Sequence, residues 1–100
     1  MHTDDYYSRL GLKPQASTRQ IKAAYRRLAL AHHPDRNRDN PAAAEIMKQL
    51  NEAYAVLSNP VKRREYDALW QEFGSSGHSR YRDAHSQQDI FSGSDINAVF

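Results

Sequence analysis

Apolar positions recur along this chain at three- and four-residue intervals, a spacing that predicts helices. Tyr6, Tyr7 and Leu10 form a first short run, with Thr3 expected as its N-cap, Asp4 and Asp5 as acids in its first turn, and Gly11 as its stop. After the connector Lys13-Pro14-Gln15-Ala16, the pair Ser17 and Gln20 makes a capping box for a second helix over residues 18–32. Its apolar positions are Ile21, Ala24, Tyr25, Leu28 and Ala31. A polar stretch ends at Asn40-Pro41, where cap and proline open a third helix. Met47, Leu50, Tyr54 and Leu57 are its stripe, flanked by Ile46 and Ala53. Ser58-Asn59-Pro60 repeats the signal and starts a fourth helix, on which Tyr66, Leu69, Trp70 and Phe73 share a face until Gly74.

Two central helices joined by a short loop should lie antiparallel, with a short N-terminal and a short C-terminal helix across them. The fold class expected is therefore all-α, one helical bundle over residues 4–72. Residues 73–100 carry Gly-Ser-Ser-Gly-His-Ser from Gly74 onward and read as a flexible linker too polar to order itself. At its end Ser94 can cap a short amphipathic helix over 94–100 in which Ile96, Val99 and Phe100 fall at i, i+3 and i+4. That pattern runs to the last residue, so continuation into a longer protein is expected.

The 100 residues contain no cysteine, which rules out a disulfide framework or a thiolate zinc site and leaves helix packing as the source of stability. No cofactor is expected. Residues 1–5 lack the positive start of a secretory signal and no apolar run is long enough to span a bilayer, so a cytoplasmic protein without membrane attachment is anticipated.

Charge changes the picture by its distribution. The formal net charge is only +2, yet no acidic residue lies between Asp5 and Asp35. On the second helix Arg19, Lys22, Arg26 and Ala29 form one stripe that points toward His33. Like charges at i, i+4 repel by a few tenths of a kcal/mol, and no acid in the helix offsets them. A solvated helix face would explain such a run, but such faces usually mix signs. An acidic partner surface would explain it better, through fast and salt-sensitive association. His33-Pro34-Asp35 then follows at the helix end. Proline pushes His33 out of the α region, and the bend presents an imidazole with one donor and one acceptor beside an acceptor-only carboxylate suited to a partner arginine. A plain turn is the bland reading of the triplet. A metal site from His32, His33 and Asp35 is disfavoured because adjacent helical side chains diverge by about 100°. Hydrolysis lacks a nucleophile at any recognisable spacing. A basic helical nucleic-acid-binding domain accounts for Lys22 and Arg26 but not for the triplet.

Several segments together resemble the J domain of the DnaJ family of co-chaperones. Asp5-Tyr6-Tyr7 with Leu10-Gly11-Leu12 is similar to its opening, and Ile21-Lys22-Ala23-Ala24-Tyr25-Arg26-Arg27-Leu28-Ala29 to its second helix. His33-Pro34-Asp35-Arg36-Asn37 resembles its signature loop, Asn51 to Ser58 the end of its third helix, and Lys62 to Asp67 its short fourth. His32 departs from the tyrosine usual there, and no cysteine-rich zinc region follows. The resemblance implies a module without catalytic activity that docks on a DnaK-type chaperone in its ATP state, stimulates ATP hydrolysis by that partner, and serves client proteins through regions outside this chain, without nucleic acid. It implies that Lys22, Arg26 and Arg27 meet an acidic face of the ATPase domain, that Tyr25 adds contact, and that His33, Pro34 and Asp35 engage near the junction of ATPase domain, linker and substrate domain. Arg36 and Asn37 would extend that surface. In some relatives an amphipathic linker helix folds back and blocks docking. Residues 71–100 carry a net charge of −2, opposite to the second helix, so an autoinhibitory contact of Ile96, Val99 and Phe100 with the second or third helix is expected.

Overall fold

Helix starts follow the local signals closely. The computed structural model describes residues 5–96, and its elements are α1 (Tyr6–Arg9), α2 (Thr18–His32), α3 (Ala42–Leu57), α4 (Pro60–Phe73), α5 (Gly77–Ala84) and α6 (Gln87–Phe91), with 3-10 turns at Pro34–Arg36 and Gly74–Ser76. The capping box of α2 forms in full, Gln20 N–H donating to Ser17 Oγ at 3.1 Å and Ser17 N–H to Gln20 Oε1 at 2.8 Å. Asn40 Oδ1 accepts from Ala42 N–H at 3.0 Å, and Asn59 Oδ1 accepts from Val61 and Lys62 N–H at 3.0 and 3.1 Å. Gly74, at φ 63°, stops α4 in the left-handed region. Two caps differ from expectation, the N-cap position of α3 falling on Pro41, one residue after Asn40. Asp5, not Thr3, caps α1, accepting from Ser8 N–H at 2.7 Å while its own N–H donates to Ser8 Oγ. Thr3 and Asp4 lie outside the described residues.

Tyr25 and Tyr54 join α2 to α3, their rings stacked at 4.4 Å, with the Tyr25 hydroxyl donating to Asn51 Oδ1 at 2.6 Å. The start of α2 (Thr18, Lys22) lies beside the end of α3 (Tyr54, Ser58), as an antiparallel hairpin requires. Across this pair α1 inserts the buried rings of Tyr6 and Tyr7. The Tyr7 hydroxyl donates to Asp67 at 2.7 Å and accepts from Arg63 Nε at 2.9 Å, and the same guanidinium reaches Pro14 and Ala16 carbonyls at 3.1 and 2.6 Å. One arginine thereby ties α4 to the connector ahead of α2. The fourth helix is not short, since its 14 residues nearly match the 15 of α2. From Glu52 to Leu57 every residue of α3 is buried, because α1, α2, α4 and α6 surround it.

The expected flexible linker is corrected by α5 and α6, which bury His78, Tyr81 and Ile90 in the same core. The core does not end at residue 72. Gly77 shows why composition misled: a Cβ there would fall 2.7 Å from the Leu69 carbonyl carbon and oxygen and 2.8 Å from Trp70 N. This glycine serves close approach of two helix backbones, not chain freedom. Glu52, 5% exposed, anchors the arm to the bundle. Its carboxylate takes Arg82 Nε at 2.8 Å and Gln87 Nε2 at 3.4 Å from the arm, and the Tyr6 hydroxyl and Arg9 from α1. Burial acts to raise the Glu52 carboxyl, but these donors and cations outweigh it and hold the group below its ordinary range. The Lys62 ammonium donates to the Ile90 and Ser92 carbonyls at the end of α6.

Gly77→Ala is expected to destabilise the fold by about 1–3 kcal/mol, the usual penalty of overpacking, read as a lower urea midpoint with α5 amides losing the most exchange protection.

Candidate functional site

The cationic face of α2 is built on a helix whose opposite side is fixed in the core by Ile21, Ala24 and Tyr25. Arg19, Lys22, Arg26 and Arg27 are all exposed. None of the four has an ion-pair partner among the described residues. Two expected members of this surface are withdrawn. Ala29 is fully buried, being only about 40° around the helix from Tyr25. Tyr25 is likewise 0% exposed, and its ring is spent on Tyr54. Arg27 is exposed but lies about 100° from Arg26. Leu30, missed by the sequence reading, is 49% exposed and sits four residues past Arg26 on the same face. Its spacing from Arg26 was legible, but no local signal tells an exposed leucine on a helix from a buried one.

At the end of α2 the proline holds His33 at φ −62°, ψ 134°, so the helix stops and the 3-10 turn Pro34–Arg36 begins. His33 Nδ1 accepts from Asp35 N–H at 3.1 Å, which leaves its remaining proton on Nε2 in the neutral ring. The Asp35 carboxylate approaches the same Nδ1 only to 3.8 Å, and its side chain is 84% exposed against 42% for His33. The corner therefore faces outward. What holds it is Asn37, whose Nδ2 donates to the Ala31 carbonyl at 3.1 Å and the His33 carbonyl at 2.9 Å, closing the open carbonyls of α2. Arg36 Nη1 reaches the Leu30 carbonyl at 3.5 Å. Asn37 thus acts as the brace of the loop, a role its position in a polar run did not reveal.

His32, His33 and Asp35 do not converge, and no group of three His, Cys, Asp or Glu side chains forms a metal cluster among the described residues. No described helix is long and apolar enough to cross a membrane. The end of the arm meets the other end of the hairpin. Gly93 and Asp95 line a cleft with Thr18, Lys22, Tyr54 and Ser58, and burial together with a hydrogen bond to Asp95 pushes the Tyr54 phenol up to about 12. Ile96 packs against the core. No helix spans 94–95, and Val99 and Phe100 lie outside the described residues.

Comparison with known proteins matches this arrangement. The family model of the DnaJ domain covers residues 5–67. The chain is 45% identical over 95 residues to the chaperone protein DnaJ of Methanosarcina thermophila, covering 95% of this chain and 22% of that protein. It is 55% identical over 73 residues to that of Chlorobium limicola, covering 73% of this chain and 17% of that protein. The chain thus spans about a fifth of the length of these curated relatives. Among solved structures, the J-Trx1 fragment of ERdj5 superposes with a TM-score of 0.69 at 29% identity, over 96% of this chain and 41% of that one.

Asn37→Ala is expected to cost about 1 kcal/mol of stability, as for a lost side-chain cap, and to broaden the amide resonances of residues 33–37 while those of α3 stay sharp.

Proposed function

This chain belongs to the DnaJ domain family, and on that premise we propose that it docks on a DnaK-type chaperone in its ATP state and stimulates ATP hydrolysis there, coupling the partner to client folding. The observation that carries the reading is the outward corner: an 84% exposed Asp35 side chain beside a half-exposed His33, in a segment braced by Asn37 and by the bond of His33 Nδ1 to the Asp35 N–H. The unpaired cations Arg19, Lys22 and Arg26 draw an acidic face of the partner's ATPase domain, raising the encounter rate more than the final affinity. Leu30 and Arg36 add contact at the helix end, with Arg27 at the flank. His33, Pro34 and Asp35 then settle at the junction of ATPase domain, linker and substrate domain, where Asp35 can accept two hydrogen bonds from a partner arginine. Because the turn is already formed, little conformational entropy is lost on binding. The chemistry takes place on the partner. Client binding belongs to regions outside these residues, and the compartment we propose is the cytoplasm, where a chain without cysteine meets no redox constraint.

Steady-state ATP hydrolysis by a DnaK-type chaperone should rise when this domain is added. His33→Gln or Asp35→Asn is expected to reduce that stimulation at least about tenfold, as truncating a desolvated charged contact does, with the circular dichroism unchanged. Undiminished stimulation by a folded His33→Gln domain would refute the reading. Duplex binding indifferent to that substitution would favour a nucleic-acid partner instead.

The tail enters the same proposal as a restraint on docking. Asp95 in the Lys22 cleft and Ile96 against the core support a partial cover over the first turns of α2. Since α5 and α6 belong to the folded core, the informative cut is after Phe91. Removing residues 92–100 is expected to speed association with the partner a few-fold at low salt, measured by surface plasmon resonance; an unchanged rate would exclude the tail from the docking mechanism.

A further inference from the structure

Between α1, the connector ahead of α2 and α4 lies an open cleft of about 620 Å³, within the size range of ligand-binding clefts. Its aromatic wall is made by Tyr7 and Trp70, with Pro14 and Gln15 along the connector side. The charged residues lining it are Asp5 and Asp67, and no cation is among its described lining residues. In a chain of net charge +2 this is a local reversal of sign.

Each of the two carboxylates is half used. Asp5 Oδ1 accepts from Ser8 N–H at 2.7 Å as the cap of α1, and Asp67 Oδ1 accepts from the Tyr7 hydroxyl at 2.7 Å. The neighbouring cation leaves the rest open: Arg63 Nε stands 3.8 Å from Asp67 Oδ2, while its hydrogen bonds go to the Tyr7 hydroxyl and to the Pro14 and Ala16 carbonyls. Asp5 Oδ2 and Asp67 Oδ2 therefore accept no hydrogen bond from the described residues. Beside them the Trp70 indole is fixed, since its Nε1–H donates to the Tyr66 hydroxyl at 3.1 Å. Elsewhere around α4 a guanidinium lies over a ring, Arg63 at 5.4 Å from the centroid of Tyr7 and Arg80 at 3.8 Å from that of Phe73. Tryptophan draws a cation more strongly than either ring, yet no cation from the described residues lies over Trp70. A divalent metal fits poorly, because it wants six or more oxygens and only two carboxylates line the cleft. A planar guanidinium matches both the ring and the carboxylates.

We propose that this cleft is a docking site for an arginine-bearing segment of a partner protein, its guanidinium laid on Trp70 and donating to Asp5 and Asp67. The cleft contains no residue of α2 or of the His33 corner. An acidic partner on α2 and a basic one here thus use different residues and opposite charges, and the second docking stands whether or not the first occurs.

The one tryptophan of the chain reports on the site directly. A blocked peptide of alternating alanine and arginine is titrated into the full chain, with Trp70 fluorescence and nitrogen-15 NMR spectra as readouts. Fluorescence should change saturably, with half-saturation at about 1 mM, and amide shifts should stay within residues 5–16 and 63–71. Asp5→Asn preserves the cap of α1 and Asp67→Asn an acceptor for Tyr7, so both variants should fold; each is expected to weaken binding about threefold, as for an exposed ion pair. A lysine peptide should bind more weakly than the arginine one, and His33→Gln should bind the arginine peptide like the parent chain. Absence of saturation, shifts centred on the acids of α5 and α6, or unchanged affinity in the chain carrying both Asn substitutions would each overturn the proposal. Self-association through these residues without peptide, read by analytical ultracentrifugation, would overturn it too, by giving the cleft to a second copy.

Discussion

A carboxylate in the middle of α3 constrains the rest of the molecule. Taking Glu52 out of water would cost several kcal/mol if it stood alone, and in a domain of this size such a loss is comparable to the whole net stability. The group is satisfied from outside its own helix: by the Tyr6 hydroxyl and Arg9 of α1, Arg82 of α5 and Gln87 of α6. Each of those elements is short, and each is held where the buried anion needs it. The arm is thus a structural member of the bundle as well as its continuation.

Tyrosine carries much of the packing, and its hydroxyls explain why the core tolerates so many of them. Tyr6, Tyr7, Tyr25, Tyr54 and Tyr66 direct their hydroxyls to Glu52, Asp67, Asn51, Asp95 and His78 respectively. Each supplies a large apolar ring to the interior and a polar tip that must find a partner. Each partner lies outside the helix that carries its tyrosine, so the hydroxyl network sets orientation where apolar contact alone would permit sliding. Burial comes first among the causes that raise these phenols.

The cations of α2 are treated in the opposite way. They are exposed and, among the described residues, without ion pairs, on a helix immobilised through its other face, and they lead to a corner whose backbone is fixed while its Asp35 carboxylate is left to solvent. A buried carboxylate that is paired from four sides and a cationic face without ion pairs among the described residues are the two features on which the proposed docking rests. Preorganisation of the corner by Asn37 means that its binding groups are positioned before any partner arrives.

The helix caps at Ser17 and Asn59, the break at Pro34 and the acid-free run before Asp35 were readable in the sequence, because each acts through its neighbours within one turn. Resemblance in order and spacing identified the family for the same reason. What lay beyond local signals was decided by packing. Ala29 and Tyr25 left the surface because α3 covers that side of α2, and Glu52 went inward because four donors from distant segments converge on it. Gly77, in a stretch that composition marks as linker, proved to be the point where two helix backbones touch. Sequence by itself determined where helices start, where the corner bends and which charges line α2, since those depend on propensity and spacing. Only the tertiary structure decided which residues are buried and whether the arm folds, since both depend on partners far away along the chain.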